Sequence, residues 1–152
     1  MIGESIEVKE EYLHLCEQIA AQLEHRQLFQ NKKLVIAIGG ESGSGKSTTA
    51  FGLYHILKKK GYGCQILHQD NFYLFPPKTN HQRRVSDINW VGPNEVDWEK
   101  VKVILSDFRN GQKQVVCPVV SYDNNEFSDI VVDFSGIQIL IAEGTYMLEL
   151  DA

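Results

Sequence analysis

One nine-residue segment gathers glycines, a lysine and hydroxyls: Gly40-Glu41-Ser42-Gly43-Ser44-Gly45-Lys46-Ser47-Thr48. Glycines let backbone N–H groups wrap an anion, and a helix starting near Lys46 would aim its positive end at the same place. Lys46 would reach the outer phosphates of a nucleoside triphosphate, and the Ser47 hydroxyl would ligate magnesium. The four fixed positions of such a P-loop arise by chance in about one chain of this length in two hundred at ordinary residue usage. Here the loop also has the context it needs, a buried strand before and a helix after.

Two carboxylates follow other predicted strands. Asp70 ends the second strand and opens a long irregular stretch. It could take a proton from a substrate hydroxyl or hold magnesium through water, although a strand-end aspartate also serves simply to cap a turn. Glu143 ends an otherwise apolar strand, where P-loop proteins place an acid that serves the metal; a solvated acid at a loop start is the bland alternative. Phe72, Tyr73, Trp90 and Tyr122 border loops and together could stack on a planar ligand, while each alone reads as loop packing. Arg83-Arg84 reads as a solvated pair and His68 as a core residue. His14, His25, His55 and His81 show no metal spacing. Lys58-Lys59-Lys60 complements a helix C-terminus without needing a ligand.

The positioning elements follow from periodicity. Tyr12, Cys16, Ile19 and Leu23 recur at helical steps between about Ser5 and Gln30. Leu34 to Ile38 is a continuous apolar run ending in glycines, the pattern of a strand buried on both faces. Lys46 to Lys60 is helical, with Ala50, Leu53 and Leu57 in one stripe and Gly61 as the stop. Cys64 to His68 is a second buried strand. Asp70 to Pro93 has no period, and a loop of that length in a compact domain is usually functional. Asn94-Glu95-Val96-Asp97 starts a helix whose stripe is Val101, Ile104, Leu105 and Phe108, closed by Asn110-Gly111. Val115 to Val120 reads as a strand, Ser121 to Asn125 as a turn, Ile130 to Asp133 as a short extra strand, and Ile137 to Ala142 as the fourth main strand. Alternating strands and helices predict an α/β fold, a parallel sheet with helices on both faces. Ligands bind at the carboxyl ends of such strands, so Gly39-Gly40, Asp70, Tyr122 and Glu143-Gly144 are expected to converge on one edge.

Composition narrows the class. The 152 residues suit one domain, 1–152, with 1–31 as an N-terminal helical extension and 33–146 as its core. A formal charge of −5 argues against nucleic acid or an anionic membrane as the main partner. Cys16, Cys64 and Cys117 are odd in number and far apart, which argues against a disulfide framework and a zinc site. Cys64 and Cys117 read as buried thiols. The polar, acidic start Met1-Ile2-Gly3-Glu4-Ser5 is not that of a signal peptide, and no apolar run approaches the ~18 residues of a membrane span. A reduced, cytoplasmic setting is expected.

The ordered blocks then resemble a family. The P-loop with Gly39 and Thr48, Gln69-Asp70-Asn71-Phe72-Tyr73, Asn89-Trp90-Val91-Gly92-Pro93, Pro118-Val119-Val120-Ser121-Tyr122-Asp123 and Ile141-Ala142-Glu143-Gly144 are similar to those of the uridine kinase and phosphoribulokinase family, over roughly residues 33 to 146. The resemblance implies a P-loop kinase fold using ATP and Mg2+. Asp70 would be the catalytic base beside Lys46. Ser47, Asp70 and Glu143 would surround the metal, and Tyr73, Trp90 and Tyr122 would line the acceptor pocket. The γ-phosphoryl of ATP would pass to a primary hydroxyl of a nucleoside or similar metabolite. Uridine kinases place an aspartate for the ribose hydroxyls where this chain has Val91, and a base-reading histidine near Phe127. They also continue past the Glu-Gly strand into an arginine-bearing lid and a last helix, so that C-terminal lid region is expected to be missing from a chain ending at Ala152. Another acceptor in the same family (nicotinamide riboside, pantothenate or a sugar acid) and a nucleotide-binding regulatory protein with little turnover are the rival readings. Expected partners are ATP and a small hydroxylated metabolite, with no nucleic acid and no membrane; a homo-oligomer stays open.

Overall fold

The apolar run before the glycines forms β1 (Leu34–Gly39), and the chain turns through the P-loop directly into α2 (Lys46–Lys59). A computed structural model describes residues 8–28 and 33–150. Before β1 lies α1 (Glu10–His25). After α2 come β2 (Cys64–His68), α3 (Pro77–Ser86), α4 (Trp98–Arg109), β3 (Gln114–Ser121), β4 (Glu126–Asp133) and β5 (Ile139–Gly144). Short 3-10 turns at Gln69–Phe72, Ile88–Trp90, Pro93–Glu95 and Met147–Glu149 fill the connections. The ends of the expected N-terminal helix, before residue 8 and at residues 29–32, lie outside the described residues.

Contacts divide the chain into two compact units, one running up to His68 and taking in Gly136–Leu148, the other built on Gln69–Ser135. In the first, β5 lies between β1 and β2 in a parallel sheet of order β1-β5-β2. All six residues of β5 are buried, so both of its faces are covered. Helix α2 turns Ala50, Leu53 and Leu57 toward Cys64, Ile139 and Ile141, and α1 adds Cys16 and Ala20 to the same cluster. Each leucine so buried stabilises the fold by about 1.5–3 kcal/mol. The mid-helix glycine Gly52 has a packing reason: a Cβ there would meet the Cys16 sulfur at 2.8 Å. Removing that methyl lets α1 lie against α2.

β1 departs from the expectation of burial on both faces. Its residues are half-buried, and Ala37 is exposed. Among the described residues the strand stands at the sheet edge, and edge position is a property of strand order that an apolar run does not encode.

In the second unit, Asp97 caps α4, its side chain accepting from the Lys100 N–H at 3.1 Å. The predicted stripe Val101, Ile104, Leu105 and Phe108 is buried, and Phe108 meets Phe134 edge-on at 5.9 Å between centroids. β3 and β4 pair antiparallel along their whole length, from Gln114↔Asp133 to Ser121↔Glu126. Asn125 adopts a left-handed φ of 53° in the connecting turn, the geometry a tight hairpin needs. Two expectations are therefore corrected. The short extra strand is an eight-residue partner of β3, its first half too polar to register as strand. Among the described residues β3 pairs with β4 and not with the parallel sheet, so Tyr122 does not end a strand of that sheet. The stretch from Asp70 to Pro93 also contains a helix, α3. Pro77 occupies its first turn, but among its residues only Asn80 is buried, so no apolar period announces it.

Candidate active site

The phosphate-binding loop takes its shape from three glycines. Gly45 is the N-cap of α2 at φ 87°, Gly43 sits at φ 80° and Gly40 at φ 149°, conformations that L side chains rarely adopt. The Ser44 N–H donates to the Glu41 carbonyl at 3.2 Å, closing the loop. No acidic side chain occupies the first turn of α2, so the positive end of the helix is not offset there. Lys46 donates through Nζ to the Glu41 carbonyl at 2.8 Å, so the ammonium lies back across the loop. Tyr12 of α1 stands against Gly45: a Cβ at that glycine would lie 2.7 Å from its hydroxyl oxygen.

Sheet register brings the next groups together. Ile38, Glu143 and His68 face one another across β1, β5 and β2. In-register side chains of adjacent parallel strands project on the same face, so Glu143 and His68 must meet. The His68 Nδ1 lies 2.7 Å from Glu143 Oε1, and the Ser47 hydroxyl donates to Oε2 at 3.2 Å. Both members of the pair are largely shielded, with side chains 11% and 8% exposed. His68, read from the sequence as a core residue, is largely shielded but carries a partner that its strand position did not announce. A hydroxyl beside a carboxylate is an all-oxygen donor set suited to a hard cation such as Mg2+. Among the described residues no group of three His, Cys, Asp or Glu is arranged to hold a metal, so the donor set depends on the Ser47 hydroxyl.

Asp70 lies in the second unit, exposed, in the 3-10 turn that follows β2. Asn71 ties this turn to β3, its side-chain oxygen accepting from the Val120 N–H at 3.0 Å. The Tyr122 hydroxyl reaches Asp70 Oδ2 at 3.4 Å, a long contact. Burial pushes the Tyr73 hydroxyl above its ordinary pKa, and the Asp70 charge adds to that; Arg84 opposes it.

Tyr73 and Trp90 are held by a network that sequence reasoning missed. Glu95 is fully buried and accepts from Arg84 Nε at 2.6 Å, from the Asn80 amide at 2.5 Å and from the Gly92 N–H at 2.9 Å. Asn80 in turn accepts from the Trp90 indole N–H at 2.8 Å. The Arg84 guanidinium lies 5.5 Å from the Tyr73 ring centre. Arg83 lies 4.6 Å from the Phe75 ring centre and 4.5 Å from that of Trp90. The reading of a solvated pair therefore fails for Arg84, which a buried carboxylate holds, whereas Arg83 lies over two rings and stays exposed. Spacing gave a partial signal: Glu95 stands three residues after Gly92, the interval at which a side chain returns to cap the backbone. Phe72 is core, 1% exposed.

Similar proteins place these residues in context. A uridine kinase of Mycoplasma pneumoniae is 34% identical over 113 residues, covering 74% of this chain and 52% of that protein. A bifunctional alpha-galactosidase/sucrose kinase of Mediterraneibacter gnavus is 29% identical over 124 residues, covering 75% of this chain and 13% of that protein. The solved structure of D-glycerate 3-kinase from Cryptococcus neoformans shares the fold with a TM-score of 0.60 at 17% identity, over 91% of this chain and 53% of that one. The chain spans about half the length of the uridine kinases it matches. The profile of the Phosphoribulokinase / Uridine kinase family matches residues 35–150. With the P-loop, the parallel sheet and the Glu143 strand end where that profile runs, the chain belongs to the phosphoribulokinase/uridine kinase family and has its P-loop kinase fold.

Proposed function

We propose that this chain carries the phosphate-binding and acceptor-side residues of an ATP-dependent kinase acting on a small hydroxylated metabolite. The observation that carries the reading is the Ser47–Glu143 contact of 3.2 Å at the start of α2, beside a loop in which Gly40, Gly43 and Gly45 all take positive φ. Loop residues 40–48 and Lys46 bind the phosphates of ATP. Ser47, Asp70 and Glu143 are the residues that would hold Mg2+, which when bound neutralises charge on the transferring phosphates. Asp70 accepts the proton of the acceptor hydroxyl as its oxygen bonds to the γ-phosphorus and the bond to the bridging oxygen breaks, releasing ADP. Tyr73, Trp90 and Tyr122 orient the acceptor. Such catalysis is mostly positioning and charge stabilisation. Three buried, unpaired cysteines suit a reducing, cytoplasmic setting, and among the described residues no helix is long and apolar enough to cross a membrane.

Phosphoryl transfer and ATP binding, measured side by side in the protein as its natural gene encodes it, test the assignment. Asp70→Asn keeps the shape but loses the proton acceptor, so turnover falls at least about a hundredfold with ATP binding retained. Lys46→Ala does the opposite first, losing ATP affinity with its charged contact. Equal turnover in Asp70→Asn and wild type would remove Asp70 from the role of base. Tight ATP binding with no turnover on any acceptor would favour a regulatory nucleotide-binding protein.

A further inference from the structure

We propose that His68 is a positioning residue for the metal site, fixing the Glu143 carboxylate so that one oxygen alone is presented to Ser47 and the cation. The inference rests on the reading of Glu143 as a metal-site acid. A carboxylate can rotate about its last bond and offer either oxygen or both. Here the two oxygens have separate partners: Oε1 meets His68 Nδ1 at 2.7 Å, and Oε2 meets the Ser47 hydroxyl at 3.2 Å. A carboxylate has no hydrogen to give, so the ring nitrogen donates. The register His68↔Glu143 between β2 and β5 makes the pairing a property of the sheet rather than of a mobile loop. Both side chains are largely shielded from water, which strengthens the bond and limits alternative rotamers. Groups that hold a ligand's second atom commonly change metal affinity 10–100-fold when removed.

The atom used makes the test specific. An asparagine amide nitrogen stands at the same bond distance from Cα as Nδ1, whereas a glutamine's stands one bond further. Mn2+ binding to the ADP complex, followed by electron paramagnetic resonance, is compared with ADP binding in excess chelator. His68→Ala is expected to weaken Mn2+ binding about tenfold and to leave metal-free ADP binding unchanged. His68→Asn restores most of the loss and His68→Gln does not. Glu143→Gln separates this inference from the reading beneath it. If Glu143→Gln weakens Mn2+ binding but His68→Ala does not, the positioning role fails and the metal-site reading stands. If Glu143→Gln leaves Mn2+ binding unaltered, the metal-site reading fails and takes this inference with it. A parallel loss of metal-free ADP binding in His68→Ala would reveal a purely structural histidine and overturn the proposal. Should His68→Ala not fold, equal Mn2+ affinities in the Asn and Gln variants would overturn it as well.

Discussion

At the scale of single residues, the titratable groups divide by exposure: Asp70 is exposed and Lys46 half-buried, whereas the three thiols are buried. Burial pushes Cys64 and Cys117 up to about 11, opposed by Lys58 at the first and reinforced by the Asp129 charge at the second. The ordinary thiol value is near 9. Between about pH 9 and 11 the unfolded chain therefore releases protons that the folded chain keeps. The sign follows: this contribution to stability is fully present below about pH 9 and is lost as pH rises toward about 11. Thermal unfolding should show a melting temperature that falls over that window. The fall should be shallower in a Cys64→Ala, Cys117→Ala double variant, measured against each variant's own value at pH 8. An equally steep fall in the double variant would assign the effect to other groups, the Cys16 thiol and the half-buried Tyr73 hydroxyl among them, both also raised by burial.

At the scale of elements, the parallel sheet depends on a close backbone approach where β2 begins. The Gly63 carbonyl accepts from the N–H groups of Gln138 and Ile139, at 2.8 and 3.0 Å. A Cβ on Gly63 would lie 1.8 Å from the Gly136 carbonyl oxygen, which belongs to backbone and cannot swing aside. Two residues earlier, Gly61 ends α2 at φ 93° with nothing within 4 Å of a Cβ. The two glycines answer to different physics. Gly61→Ala should cost about 1–2 kcal/mol, the strain of a left-handed alanine. Gly63→Ala must separate β2 from the chain entering β5, and should exceed about 4 kcal/mol or abolish folding. Urea unfolding of both variants decides, with an unchanged m-value required for the comparison. Similar losses for the two would mean that the backbone near Gly136 yields more readily than its packing suggests.

At the scale of the whole molecule, the residues singled out fall in two compact units: the glycine loop, Ser47, Glu143 and His68 belong to one, and Asp70, Tyr73, Trp90 and Tyr122 to the other. Val91 is 44% exposed and has no group to pair with ribose hydroxyls, and Phe127 pairs with Val120 in the β3–β4 ladder. A site built for hydroxyls rejects ligands that leave its polar groups unpaired, and the converse also holds. Uridine and cytidine should therefore be poor acceptors beside pantothenate or glycerate, in a panel assayed with ATP and Mg2+. Uridine emerging as the best acceptor would show that other residues supply the missing contacts. The sequence alone determined what depends on local spacing: the P-loop and its helix, the α4 stripe and the buried thiols. Helical periodicity and glycine conformation are short-range properties, legible in one dimension. Only the tertiary structure decided strand order, the pairing of β3 with β4, the α3 helix with its polar surface, and the partners of His68, Arg84 and Glu95. Those rest on hydrogen bonds between residues far apart in the chain, such as His68 to Glu143 and Leu34 to Gln138. A histidine or arginine in sequence carries no mark of which distant carboxylate it will meet.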